Sequence, residues 1–170
     1  SDVYKIKEAY LNSKKIFFND LDGEFAIILI DFEKSKLYFG TDIFGTKPLY
    51  YRIQEQNIQI SSYPECIKNN DSPPIRCRPN EMYIYDFKNF KLETVQNIHE
   101  FELEQNKDSF DDWDTAFINA VNKRFTNLNH EIILPLSSGH DSGSIACAMD
   151  LLKIKYDSYS FFGQENVKTL

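Results

Sequence analysis

The segment with the clearest chemical potential is the string LPLSSGHDSG at residues 134–143. Its small residues allow the backbone to curl tightly and to bring several N–H groups to one point. The hydroxyls of Ser137, Ser138 and Ser142 can donate to phosphate oxygens, and a helix beginning here adds its positive end. Asp141 can hold Mg²⁺ beside a triphosphate, because carboxylates bind this cation. The pattern indicates a polyanion site with one metal ligand, although a plain Ser/Gly-rich turn between a strand and a helix has the same composition.

Hydrophobic periodicity indicates the elements that position this loop. Apolar residues recur every three or four positions from Phe110 to Phe125, which predicts an amphipathic helix with Asp108 or Ser109 as its N-cap. The apolar run 132–136 predicts a short buried strand, the loop then leads into a second helix, and residues 156–162 predict a second strand. Helix, strand, loop, helix and strand form an α/β unit in which the two strands run parallel.

The first hundred residues follow the pattern of an α+β domain. Residues 3–18 predict a helix, residues 20–97 predict a compact, largely antiparallel sheet, and the polar, acidic segment 99–109 predicts a linker. The predicted chain is therefore α+β over residues 1–98 and α/β over residues 110–170. Three hairpins are expected in the sheet, with the strand pairs 25–31 and 36–40, 49–53 and 58–61, and 81–86 and 92–96.

Composition excludes several classes of function. The net charge of −7 and the lack of a Lys/Arg stripe argue against nucleic acid as a partner. The longest apolar run, 25–30, is too short to span a bilayer, and no signal-peptide pattern is present. Cys66, Cys77 and Cys147 form no CxxC pair, which indicates reduced thiols and a cytoplasmic protein.

The loop resembles the pyrophosphate loop of N-type ATP pyrophosphatases, which cleave ATP between the α and β phosphates. The resemblance rests on the pattern SxGxDS after an apolar strand, at residues 137–142. A Walker loop does not fit, because no GxxxxGK[ST] string and no Lys occur there. The family commonly has SGGxDSS, so that Ser138 stands in place of its first Gly and Gly143 in place of its last Ser.

A second pair of motifs resembles the class II glutamine amidotransferase domain of asparagine synthetases. Residues 20–31 read DLDGEFAIILID and residues 36–51 read KLYFGTDIFGTKPLYY, against the family pattern LxGxFAxxxxD followed by RDxxGxKPLYY. Thr41 stands where the family usually has Arg, Tyr63 replaces a Glu, and Asn80 replaces a frequent Gly. These motif residues suit turns and packing rather than catalysis. These amidotransferase motifs also precede the pyrophosphate-loop pattern of residues 137–142, which is the order that asparagine synthetases have.

The resemblance implies roles for particular residues. Asp2 would bind the α-amino group of glutamine, although an N-cap role is an equal alternative. Asp141 would also hold Mg²⁺, and Leu136 and Phe162 would lie against adenine, because ligands bind beyond the carboxyl ends of parallel strands. The residues implied in ATP binding are Leu136, Ser137, Ser138, Gly139, Asp141, Ser142 and Phe162.

The nucleophile of this amidotransferase family is an N-terminal Cys. None of the three cysteines in residues 1–170 can take that role, because none is N-terminal with a free amine as base. We therefore expect no catalytic residue within the chain, and we expect the chain to be an incomplete portion of a longer enzyme. The fold implied is a partial Ntn-hydrolase-type domain followed by the start of an adenine-nucleotide α-hydrolase-like domain.

The function implied by the resemblance is asparagine synthesis. Aspartate, glutamine and ATP would give asparagine, glutamate, AMP and pyrophosphate, with ATP and Mg²⁺ as cofactors and a homodimer left open. Two alternatives remain at this point: a β-lactam-synthetase-like cyclase that does not hydrolyse glutamine, and a non-catalytic relative that only binds nucleotide.

Overall fold

A computed structural model describes residues 2–13, 16–68, 72–126, 128–161, 163, 166 and 168. The chain divides into two compact units, Ser1–Leu103 and Glu104–Leu170, and the division falls inside the segment 99–109. No helix within the described residues is long and apolar enough to cross a membrane.

The first unit contains a four-stranded antiparallel sheet in the order β1-β2-β6-β7. Its strands are β1 (Ala26–Asp31), β2 (Lys36–Thr41), β6 (Glu81–Asp86) and β7 (Lys91–Asn97). The hairpins β1–β2 and β6–β7 are both antiparallel, as predicted from apolar segments of strand length joined by polar turns. The hairpins are joined through β2 and β6, which pair directly along their length.

A second, three-stranded sheet has the order β4-β3-β5. It consists of β3 (Tyr50–Gln54), β4 (Asn57–Ser61) and β5 (Ile75–Arg76), and the predicted hairpin β3–β4 is confirmed. The prediction of one sheet over residues 20–97 is wrong, because the tight turn after β2 directs the chain out of the first sheet. Gly45 adopts φ +63° in that turn, a conformation that disfavours residues with a side chain.

The two sheets of the first unit enclose one core, and a helix closes the other face of the larger sheet. Alternate residues of β2 and β6, such as Phe39 and Tyr83, meet Tyr51 of β3 between the sheets. On the opposite face, Met82 and Ile27 pack against residues of the N-terminal helix and the turn after it. This period-two alternation gives the central strands β2 and β6 an apolar side toward each of the two layers.

The N-terminal helix is shorter than the predicted range 3–18. It spans α1 (Asp2–Asn12), and a 3₁₀ helix follows at Phe17–Asp20. Phe17 and Phe18 are both almost fully buried, which one face of a continuing α-helix would not allow, since adjacent residues diverge by about 100°. Helix α1 is tied to the sheet by the Tyr10 hydroxyl, which donates to Asp31 at 2.5 Å.

The second unit consists of α2 (Asp111–Phe125), β8 (Ile133–Pro135), α3 (His140–Leu151) and β9 (Asp157–Tyr159). Strands β8 and β9 are parallel, as predicted, but they form only a two-stranded sheet, and β9 is shorter than the predicted range 156–162. Val121, Leu134, Ala148 and Met149 form the buried centre of this unit.

The predicted N-cap of α2 is wrong. The capping residue is Phe110, with no side-chain cap hydrogen bond, because the Ser109 hydroxyl lies 3.1 Å from a carboxylate oxygen of Asp111 instead. The acidic first turn is confirmed by Asp111, Asp112 and Asp114, whose charges favour the helix N-terminus.

Candidate functional site

The predicted phosphate loop connects the end of β8 to the start of α3. The backbone N–H of Leu136 still donates to the carbonyl of Tyr159 at 2.8 Å, so that β9 holds the beginning of the loop. Gly139 precedes the first helical residue with extended backbone angles (φ −85°, ψ 159°) and no side-chain cap. Because no side chain at the N-cap position serves as acceptor in the described part of the chain, the N–H groups of the first helical turn can bind an acceptor from outside the helix.

Serine side chains fasten this loop to the first turn of α3. The hydroxyl oxygen of Ser142 accepts from the backbone N–H of Ser137 at 3.0 Å and lies 2.9 Å from the hydroxyl of Ser137. The N–H of Gly139 donates to the Ser137 hydroxyl at 3.2 Å, and the N–H of Asn166 donates to the Ser138 hydroxyl at 3.2 Å. The hydroxyls predicted to meet phosphate thus hold the loop in a compact turn.

Five of the predicted ATP-binding residues lie together in this turn and the first turn of α3. Leu136 lies beside them and packs partly buried on the core of the second unit. Phe162 falls outside the described residues. These five residues are Ser137, Ser138, Gly139, Asp141 and Ser142.

The donor set of the loop fits a phosphate group with one bound cation. Asp141 is exposed in the first turn of α3. Within the described residues, no cluster of three or more His, Cys, Asp or Glu side chains could enclose a metal. A cation at Asp141 would therefore need phosphate or water oxygens as its other ligands, which is how Mg²⁺ is commonly held.

Asp2 is the first residue of α1 and belongs to the first unit, away in sequence from the loop. Its side chain lies outside what the structure describes. The role of Asp2 toward glutamine, like that of the loop residues toward ATP, stays a prediction.

The amidotransferase-like motif at residues 36–51 folds into a turn centred on Asp42. This buried carboxylate accepts from the N–H groups of Phe25 at 3.2 Å, Phe44 at 3.0 Å and Thr46 at 3.2 Å, and also from the Thr46 hydroxyl. Burial opposes ionisation of Asp42, but these hydrogen bonds outweigh it, and the pKa of Asp42 lies below its usual value. Asp42 therefore stabilises this turn, in agreement with the prediction that the motif residues serve turns and packing.

Other motif positions also have structural roles. Thr41, where the family usually has Arg, is buried at 1% exposure. Lys47 forms an ion pair with Glu24 at 3.1 Å between two exposed side chains, a contact of small energetic value. A Cβ on Gly45 would lie 2.8 Å from Cγ of Pro79, which explains the preference for glycine there.

Asn80 has a structural role that the sequence alone does not reveal. It adopts φ +62°, a conformation that Asn tolerates better than most residues, at the position where the family frequently has Gly. Its side-chain amide donates to the carbonyl of His99 and accepts from the N–H of His99, both at 2.8 Å. The side chain thus joins the start of β6 to the chain that leaves β7.

Comparison with known proteins finds a family match within the first unit. Residues 1–69 match the family model for the glutamine amidotransferase domain. This match covers less than half of the chain, and it includes the motifs at residues 20–31 and 36–51.

Two curated relatives make the resemblance more specific. A "Probable asparagine synthetase [glutamine-hydrolyzing]" of Acanthamoeba polyphaga mimivirus is 32% identical over 96 residues, which are 49% of this chain and 18% of that protein. A "Putative asparagine synthetase [glutamine-hydrolyzing] 1" of Methanocaldococcus jannaschii is 27% identical over 146 residues, 75% of this chain and 27% of that protein. The predicted resemblance to glutamine-hydrolysing asparagine synthetases is confirmed, and the chain spans less than a third of either relative.

Proposed function

We propose that this chain is part of an ATP-dependent amide ligase of the asparagine synthetase type. In this proposal, glutamine supplies ammonia and aspartate is adenylated, so that aspartate, glutamine, ATP and water give asparagine, glutamate, AMP and pyrophosphate. The observation that carries the proposal is the amidotransferase match over residues 1–69, followed in the same chain by a strand–loop–helix unit with the SxGxDS pattern. The similarity to two proteins named asparagine synthetases supports it.

In the proposed ligase, the loop after β8 holds the pyrophosphate portion of ATP. A phosphate oxygen replaces the Ser142 hydroxyl as acceptor for the N–H of Ser137, and the freed hydroxyl donates to phosphate. The N-terminal end of α3 contributes its open N–H groups and its partial positive charge. Asp141 provides a carboxylate ligand for Mg²⁺, which neutralises charge on the leaving pyrophosphate.

In the first unit, Asp2 is the proposed ligand for the α-amino group of glutamine. Its carboxylate would pair with the ammonium group, an arrangement that favours an amino acid over a simple amide. The proposal requires an N-terminal Cys as the attacking thiol, and none of Cys66, Cys77 and Cys147 has that position.

Calorimetry of this chain with ATP, with and without Mg²⁺, tests the nucleotide site. We expect Mg²⁺-dependent binding that Asp141→Asn weakens by roughly tenfold, which corresponds to one lost charge-assisted contact of about 1.4 kcal/mol. Asp150→Asn is the matched control, because Asp150 lies near the other end of α3 and hydrogen-bonds Tyr156 at 3.2 Å. Lack of Mg²⁺-dependent binding by the unmodified chain would overturn the nucleotide site.

The complete reaction is tested on the extended reading frame. We expect pyrophosphate release that depends on both glutamine and aspartate, with a Cys directly after the initiator Met. Pyrophosphate release without glutamine dependence, together with another residue in place of that Cys, would favour the cyclase alternative. Nucleotide binding without pyrophosphate release would favour the non-catalytic alternative.

A further inference from the structure

Asn166 and Lys168, which follow β9, are connected to the predicted phosphate loop. Strands β8 and β9 are parallel, so the chain leaves both strands at the same edge of the sheet. At this edge the backbone N–H of Asn166 donates to the Ser138 hydroxyl at 3.2 Å. The side-chain oxygen of Asn166 accepts in turn from the backbone N–H of Lys168 at 3.1 Å. Two hydrogen bonds therefore connect the backbone of Lys168 to the middle of the loop.

The loop itself brings no cation to the phosphate groups that it is proposed to bind. Residues 134–143 contain no Lys or Arg, and Asp141 adds a negative charge. One Mg²⁺ at Asp141 neutralises only part of the charge of a triphosphate. A lysine ammonium group within reach of the phosphates would stabilise the remaining charge.

The other basic residues of the second unit are placed less favourably for this role. Four of them lie in the chain that leads into β8 or β9, and thus approach the strands from the edge opposite to the loop: Lys123, Arg124, Lys153 and Lys155. Lys107 is ion-paired with Asp112. Lys168 differs from these five, because its backbone is tied to the loop through Asn166.

Lys168 has the length to reach the phosphates. Its side chain is exposed, and it spans about 6 Å from Cα to Nζ when extended. The backbone from Asn166 to Lys168 spans at most about 7 Å more. We propose that Lys168 binds the β and γ phosphates of ATP and that Asn166 positions it. The inference rests on the proposed function, since it takes nucleotide binding by the loop as given and adds a residue outside the SxGxDS pattern.

Calorimetry of the chain with MgATP and with magnesium pyrophosphate tests the contact. Lys168→Met should weaken both ligands by about three- to tenfold, because both contain the phosphates that the ammonium group contacts. Lys168→Arg keeps the positive charge and should retain most of the affinity. Lys155→Met is the matched control and should bind like the unmodified chain. Equal affinities of Lys168→Met and the unmodified chain for either ligand would overturn the contact.

An acyl-phosphate derivative of ATP tests the location of Lys168. In this probe a carboxylic acyl group is bonded to an oxygen of the γ phosphate. The Nζ of a nearby lysine attacks the acyl carbon and loses a proton, an amide forms, and the bond to the phosphate oxygen breaks so that ATP leaves. We expect mass spectrometry of peptides to find the acyl group on Lys168, with protection by excess MgATP. Protected labelling of Lys123, Lys153 or Lys155 in its place would contradict the inference.

The positioning role of Asn166 is tested by the yield of the same labelling reaction. Asn166→Ala removes the acceptor for the N–H of Lys168 and should lower the labelling of Lys168, while circular dichroism stays unchanged. Asn166→Asp keeps an acceptor oxygen and should retain more of the labelling than Asn166→Ala. Equal labelling of Lys168 in all three chains would show that Asn166 does not position it.

Failure of this inference and failure of the proposed function give different results. If the unmodified chain does not bind MgATP, the nucleotide site is wrong and the role of Lys168 is lost with it. If the chain binds MgATP and Asp141→Asn weakens that binding while Lys168→Met does not, the nucleotide site stands and only the role of Lys168 is refuted.

Discussion

Removal of the Asp42 carboxylate should destabilise the first unit selectively. In Asp42→Ala, four donors lose their acceptor: the N–H groups of Phe25, Phe44 and Thr46, and the Thr46 hydroxyl. Phe44 and Thr46 are exposed, so part of this loss is recovered by hydration. With about 1 kcal/mol for each net hydrogen bond, the expected loss is about 2–4 kcal/mol. Asp42→Asn keeps one acceptor oxygen but turns an NH₂ group toward other donors, and should lose about 1–2 kcal/mol.

Urea unfolding with two optical probes measures this effect. Eight of the ten tyrosines belong to the first unit, so near-UV circular dichroism of tyrosine follows that unit, whereas Trp113 fluorescence follows the second. The tyrosine transition should move to lower urea in Asp42→Ala and the tryptophan transition should stay. Glu33→Ala, at an exposed turn position, is the control. A shift below about 0.5 kcal/mol, the scatter of neutral surface changes, would refute the role of Asp42.

Three further predictions concern single residues. Gly45→Ala should destabilise the first unit by about 1–3 kcal/mol, because Gly45 has φ +63° and the added Cβ would lie 2.8 Å from Pro79. Gly143→Ala should stabilise the second unit by about 0.5–1 kcal/mol, because the Cβ enters open space and alanine favours the helix. Urea unfolding measures both changes. The hydrogen bond from Tyr10 lowers the pKa of Asp31 to about 2 from 3.8, so its contribution to stability is present above pH 4 and lost as pH falls toward 2; the stability difference from Asp31→Asn should shrink over that interval. Burial raises the pKa of Cys77 to about 12, so a thiol reagent at pH 8 should label two cysteines in the native chain and three in urea; three labelled native thiols would contradict the burial.

The hairpins of the first unit could be predicted from sequence because each one is local. The two strand-length segments and their polar turn lie within about fifteen residues, and the strand bounds agree within one or two positions. The pairing of β2 with β6, which joins the two hairpins into one sheet, could not be predicted in this way, because the two strands are far apart in sequence. Gly40 pairs with Met82, and a Cβ on Gly40 would lie 2.5 Å from the carbonyl oxygen of Glu81, but this need for glycine is visible only when the partner strand is known.

The candidate loop could be predicted for the same reason, since strand, loop and helix are contiguous in sequence. The pattern indicates where the serines lie, but it does not reveal that Ser142 and Ser137 bond to each other. The exposure of Trp113 could not be predicted, because periodicity assigns this residue to the apolar face of α2 without showing that this end of the face is exposed. Exposure depends on how far α3 covers α2, which is a tertiary property.

The pairing of β2 with β6 also determines how the first unit reaches its native state. Each hairpin can form in about 1–10 μs, because its turn brings neighbouring strands together. Joining β2 to β6 closes a chain segment of about forty residues, which includes the whole second sheet. The conformational entropy of that segment is lost before the contacts between the strands form. We therefore expect the docking of two preformed hairpins to limit the folding rate, with substitutions at Gly40 or Met82 slowing folding more than those in the β3–β4 hairpin.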